Sequence, residues 1–177
     1  VNIIQTEDFV AYKTYQEEQK YLTTTKTRMG FVANEIKGIA QSGNTLILVN
    51  YVKTGELLEE LIDGAVFVSG KTKVQDRKDE YDEIKTASNK IIIATYGVAA
   101  VGINIPRIFN LVLIEPGKSF VRVIQSIGRG IRKAQDKDHV QIWDITSTAK
   151  FAKRHLTARK KFYKEANYPY TITKKEN

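Results

Sequence analysis

The chain has 177 residues, a formal net charge of +8, 42% hydrophobic and 27% charged residues, which suits one globular domain, or one domain plus an appendage. It has no cysteine and only two histidines, His139 and His155; this excludes disulfides, thiolate nucleophiles and Cys-based zinc or iron–sulfur sites, and gives no basis for a histidine-rich metal site. No apolar run approaches the ~20 residues that span a bilayer and no signal-peptide pattern opens the sequence, so neither a membrane partner nor secretion is expected, and a cytoplasmic location is.

Taken in chain order, residues 1–28 are rich in Tyr, Thr, Lys and Glu without a strong strand, and read as a lead-in helix or linker. Phe31, Val32, Ile36, Ile39 and Ala40 recur at helical spacing, with Gly43 as the stop. Residues 45–50 (TLILVN) read as a strand. Leu57, Leu58, Leu61 and Ile62 form a second helical stripe, stopped by Gly64. Further strands are expected at 65–69 (AVFVS), 90–95 (KIIIAT), 110–115 (NLVLIE) and 139–144 (HVQIWD). A polar helix is expected over 73–87, and Phe120, Val123, Ile124, Ile127 and Ile131 mark another apolar stripe.

Residues 148–177 carry Lys150, Lys153, Arg154, Arg159, Lys160, Lys161 and Lys164 against Glu165 alone before residue 170. They read as a basic helix ending before Pro169, with Phe151, Leu156, Phe162 and Tyr163 turned toward the domain. The pI of about 9.5 points to an anionic partner, nucleic acid being the simplest. Trp143 reads as core.

The strands are short, β-branched and nearly continuous in apolar character, as in strands covered on both faces. Alternation with helices predicts a doubly wound α/β fold, a mainly parallel sheet with helices on both faces. Right-handed crossovers then collect the loops after the strands along one edge, where such sheets bind ligands.

Three local patterns fail as catalytic motifs. Gly70-Lys71-Thr72 resembles the end of a phosphate-binding loop, but Ala65 stands where the first glycine is required and Val66, Phe67 and Val68 belong to a strand. Gly117-Lys118-Ser119 fails likewise, with Val112 at that position. Asp79-Glu80-Tyr81-Asp82 resembles an acidic Mg²⁺ box, yet Gln75, Asp76, Arg77 and Lys78 precede it where an apolar strand is needed; a solvated helix face is the better reading.

Two segments are more specific: 91–106 (IIIATYGVAAVGINIP) and 125–132 (QSIGRGIR). Arg129 and Arg132 are three residues apart, so one helix face presents both. Gly128 and Gly130 clear side chains from around Arg129. Two guanidiniums in such a setting suit a polyphosphate.

On these residues the chain resembles the second RecA-like motor domain of superfamily 2 helicases. Residues 46–53 (LILVNYVK) resemble motif IV, 91–106 motif V, and 125–132 the motif VI pattern Q-x-x-G-R-x-x-R. The wording of motif V looks most like the UvsW-type helicases of phage recombination and replication-fork repair.

The resemblance implies a RecA-like domain over 29–147, preceded by a lead-in (1–28) from a missing N-terminal RecA-like motor domain and followed by a basic helix and tail (148–177). It implies ATP and Mg²⁺ as cofactors, held mainly by that missing domain, and DNA, single-stranded or branched, as partner. Arg132 would be the arginine finger on the γ-phosphate, with Arg129 beside it. Gln125, Gly102 and Asn104 would lie near the nucleotide. Asn50, Tyr51, Lys53, Ser69, Gly70, Lys71, Thr95, Tyr96 and Gly97 would contact the nucleic acid. Many relatives carry Asp where this chain has Asn104, so one charge at the ribose is missing.

The activity implied is that of an ATP-dependent DNA helicase or translocase in recombination, repair or branched-DNA remodelling, in a host-cell cytoplasm if phage-encoded. This chain alone would be inactive. Two alternatives stay open: a non-catalytic nucleic-acid-binding or annealing module of the same fold, and a self-sufficient P-loop NTPase using Gly70, Lys71 and Thr72.

Overall fold

A computed structural model describes residues 1–68, 89–100, 108–117, 120, 123–125 and 140–176. The described elements are β1 (Asn2–Glu7), α1 (Tyr15–Thr24), α2 (Lys26–Ala40), β2 (Thr45–Val49), α3 (Val52–Leu61), β3 (Ala65–Val68), β4 (Ile91–Thr95), α4 (Tyr96–Ala100), β5 (Asn110–Ile114), β6 (Gln141–Ser147), α5 (Lys150–Glu165) and β7 (Thr171–Glu176). The seven strands form one sheet in the order β3-β4-β2-β5-β6-β1-β7, and every pairing is parallel. This is the expected doubly wound, RecA-like architecture.

Alternation along the strands builds two cores, because successive side chains leave opposite faces of a strand. Leu46, Leu48, Ile92, Ala94, Leu111 and Leu113 face one side, where Leu156 and Tyr163 of α5 and the helical residues Phe120, Val123 and Ile124 cover them. Ile47, Val49, Ile91, Ile93, Val112 and Ile114 face the other, under Met29, Val32, Ile36 of α2 and Leu58 of α3. Gly64, at φ +82°, ends the α3 segment in a backbone region that favours glycine. At Gly55 a Cβ would stand 2.3 Å from the Phe67 ring, so the absent side chain lets α3 lie close on β3.

The five expected strands all form, with small changes of boundary. β6 runs three residues past the expected end at Asp144, through Ile145, Thr146 and Ser147. The expected lack of a strand in 1–28 is corrected: β1 lies inside the sheet, between β6 and β7. Only Ile3 and Ile4 are apolar there. The polar Gln5 and Thr6 are buried because Gln5 Nε2 donates to Ser147 O (3.3 Å) and Thr6 Oγ1 to Asp8 Oδ2 (2.6 Å). The tail also contains an unexpected strand, β7, an edge strand of mostly exposed residues. The expected polar helix at 73–87, the acidic box, and Ile127 and Ile131 lie outside the described residues.

The C-terminal helix forms over Lys150–Glu165 and docks through Ala152, Leu156, Arg159 and Tyr163. Phe151 and Phe162, expected on the docking side with Leu156 and Tyr163, are half-buried. Arg159 departs from the expected basic surface: it is 2% exposed and paired with Asp144. Trp143 is half-buried and donates through Nε1 to Asn110 Oδ1 (3.1 Å). Among the described residues no helix is long and apolar enough to cross a membrane.

Candidate nucleotide and nucleic-acid edge

The connections around β2 define a crevice. α3, which follows β2, packs on one face of the sheet. The helical residues following its two neighbours, Tyr96, Val98 and Ala99 after β4 and Phe120, Val123 and Ile124 after β5, pack on the other. Helices leaving adjacent strands to opposite faces open a gap at the strands' carboxyl ends, the usual ligand position in such sheets.

The residues at this edge come from three of the expected segments. Val49 is the register partner of Thr95, so Asn50 and Tyr96 emerge side by side, on strands about 4.8 Å apart. Asn50 is half-buried and donates through Nδ2 to Glu115 O (2.8 Å). Tyr51, at 39% exposure, and Lys53 face outward from the start of α3. Thr95 Oγ1 accepts from Val98 N (3.2 Å), capping the short α4. Gly97 is exposed with open space where a Cβ would stand. Gln125 is exposed directly after the buried Val123 and Ile124. The Tyr96 ring points inward: it is buried, its hydroxyl donates to Ile114 O (3.1 Å), and burial, then the nearby Asp144 charge, push its pKa well above the usual phenol range. Arg129, Arg132, Gly102, Asn104, Ser69, Gly70 and Lys71 lie outside the described residues, as does Thr72.

Beneath the edge lies a buried polar framework that the sequence reading missed. Glu115 sits at φ +44° immediately after β5. Its carbonyl accepts from both Asn50 and Gln19 Nε2 (3.2 Å), and the next carbonyl, Pro116 O, accepts from Arg159 Nη1 (2.9 Å). Its carboxylate takes Arg28 Nη2 (2.7 Å) and Thr146 Oγ1 (3.0 Å). Burial raises the Glu115 pKa, with Arg28 opposing that rise. Arg28 also meets Asp8 (3.4 Å), Thr6 and the Leu22 carbonyl. The turn leaving β5 is therefore held by donors from α1, from the β2 loop and from α5.

A second buried set joins α5 to β6. Arg159 grips Asp144 through Nε (2.7 Å) and Nη2 (3.0 Å), and Tyr163 adds its hydroxyl (2.7 Å). Burial works against the Arg159 charge, but the Asp144 charge and its hydrogen bonds outweigh it, and the arginine pKa ends raised. Helical register held a signal for both sets: Arg28 shares a face with Val32 and Ile36, and Arg159 with Leu156 and Tyr163. A cation in an apolar stripe requires a buried acid.

The helicase conserved C-terminal domain matches residues 13–134. The chain belongs to that helicase family. This helicase C-terminal domain is 31% identical over 161 residues to the ATP-dependent DNA helicase uvsW of Enterobacteria phage T4, covering 88% of the present chain and 32% of that protein. Its fold superposes on the crystal structure of T4 UvsW with a TM-score of 0.83 at 24% identity, over 99% of this chain and 41% of the other. Dbp5 of S. cerevisiae, bound to RNA and ADP BeF3, matches with a TM-score of 0.68 at 18% identity, over 98% and 41%. The chain thus spans about a third of the curated UvsW relative and two-fifths of these solved chains.

Proposed function

We propose that this domain is the second motor half of an ATP-dependent DNA helicase or translocase, working in recombination, repair or branched-DNA remodelling. One observation carries the reading: in a chain of this family, the residues after β2, β4 and β5 stand together at the carboxyl ends of adjacent strands, with Asn50 bonded to Glu115 O. In this reading 29–147 carries the motor's motifs, 1–28 adds β1 to the same sheet on the way in from an N-terminal RecA-like domain, and 148–177 adds a basic helix and β7.

ATP is held mainly by the N-terminal domain and closes it onto this one. Arg132 meets the γ-phosphate, Arg129 stands beside it, and Gln125, Gly102 and Asn104 complete the nucleotide's surroundings. Loss of the γ-phosphate releases the two halves. Tyr51, Lys53, Ser69, Gly70, Lys71, Thr95 and Gly97 hold the nucleic-acid backbone, changing their grip with each cycle. Asn50 joins them through the amide proton that Glu115 leaves unused, and Tyr96 through its backbone, since its ring is buried.

When bound with ATP, Mg²⁺ supplies charge neutralisation at the phosphates. Among the described residues no group of three His, Cys, Asp or Glu could hold a metal ion, so none of them is assigned to it.

The test uses the complete protein that contains this domain. Arg132→Ala should lower nucleic-acid-stimulated ATP turnover by the ~10³–10⁵-fold typical of an arginine finger, with nucleic-acid affinity changed far less. Turnover equal to the parent's refutes the finger. ATP hydrolysis by this chain alone, abolished by Lys71→Ala, would favour the P-loop alternative. DNA binding without any ATPase in the complete protein would favour the annealing module.

A further inference from the structure

A separate cleft opens at the other edge of the sheet. It has a volume of about 430 Å³ and is lined by Tyr163, Lys164, Asn167, Tyr168, Pro169 and Tyr170. Pro169 O accepts from the Val1 amine, and Thr171 N donates to Val1 O. The cleft therefore lies where β1 and β7 begin, whereas the crevice around β2 lies where strands end.

The walls have a definite chemistry. Tyr163 forms a buried floor with its hydroxyl committed to Asp144. Tyr168 is 40% exposed and held edge-on against Phe162, ring centres 6.2 Å apart. Its backbone is fixed by a bond from Tyr168 N to Tyr163 O (2.8 Å), and the preceding Asn167 takes φ +60°. No carboxylate lines the cleft.

Lys164 opens onto the flank of α5 that also carries Lys153 and Lys160, at spacings of eleven and four residues. Lys161 is exposed alongside. Among the described residues none of these four ammonium groups has a carboxylate within ion-pair distance. From Lys153 to Lys164 the flank runs roughly 16 Å at 1.5 Å per residue, long enough to follow more than one phosphate of a strand.

We propose that this cleft and flank form a second nucleic-acid site, which takes an unpaired nucleotide of a single strand with its base on Tyr168 and its phosphates on Lys164 and the lysines behind it. A fixed, part-exposed aromatic ring beside a cationic track is what sequence-independent single-strand binding uses. A duplex keeps its bases stacked and can offer this surface only its phosphates. The site lies beyond the motor crevice and rests on the proposed function only in taking the chain to handle nucleic acid.

The experiment measures anisotropy of fluorescein-labelled dT20, rU20 and a 20-base-pair duplex with the 177-residue chain, across a salt series. Tyr168→Ala should weaken at least one single strand by roughly 5- to 150-fold, from the 1–3 kcal/mol measured per stacked base, and leave the duplex unchanged. Tyr168→Phe should restore binding to within about twofold. Lys164→Ala, a surface change with no packing cost, should lower the single-strand salt slope by about 0.7.

Undiminished affinity for both single strands in Tyr168→Ala overturns the site. An equal loss on the duplex does so too, because it would mark a surface that reads phosphates alone. If Lys53→Ala removes binding while Tyr168→Ala does not, the cleft assignment falls and the crevice stands. If neither substitution matters, both fall.

Discussion

Arg159→Ala tests whether the buried framework holds the domain together. The substitution deletes three hydrogen bonds, two to Asp144 and one to Pro116 O. Asp144 is 0% exposed, and Tyr163 is its one remaining side-chain partner among those described. Breaking a buried ion pair from one side costs about 3–5 kcal/mol, a third or more of a typical domain's total stability. With a urea m-value of about 2 kcal/mol per molar, the midpoint followed by circular dichroism should fall by roughly 1.5–2.5 M. Arg159→Met combined with Asp144→Leu removes both charges and should recover at least half the loss. A deficit below about 1 kcal/mol refutes the assignment.

Two further outcomes follow from the same framework. The α5 N-terminus has no side-chain cap of its own; Glu18 of α1 accepts instead from Phe151 N (2.9 Å) and Ala152 N (2.8 Å). Glu18→Ala should cost about 1–2 kcal/mol and speed amide exchange at 151 and 152 specifically; unchanged protection there would disprove the cap. Glu115, raised by burial above the ordinary carboxylate value of 4.5, contributes stability that is fully present below its unfolded pKa and is lost as pH rises through the folded one. Glu115→Gln should therefore remove a declining component from the stability profile above pH 4.5, and a profile of unchanged slope would count against this.

The fold was largely legible because the strands of its left and centre, such as KIIIAT and NLVLIE, are covered on both faces and so are nearly pure apolar runs. β1 was not, because its Gln5 is made tolerable inside the sheet by Ser147 O, 142 residues away, and its Thr6 by Asp8 and by Arg28, which donates to the Thr6 hydroxyl from α2. β7 was not, because an exposed edge of Thr, Lys and Glu carries no burial signal. At the site, Tyr51, Lys53, Thr95 and Gly97 follow their strands as sequence order implies. Asn50 follows β2 with its amide on Glu115, a bond that only three-dimensional proximity reveals. Glu115 itself read as the end of a strand, and nothing local marks a carboxylate that will meet an arginine 87 positions earlier.

β7 reaches the sheet through a single neighbour, β1. The fate of β7 is therefore tied to that of β1. Deleting Asn2–Glu7 would leave Thr171–Glu176 with no ladder to join, and amide-exchange experiments should see β7 open whenever β1 does.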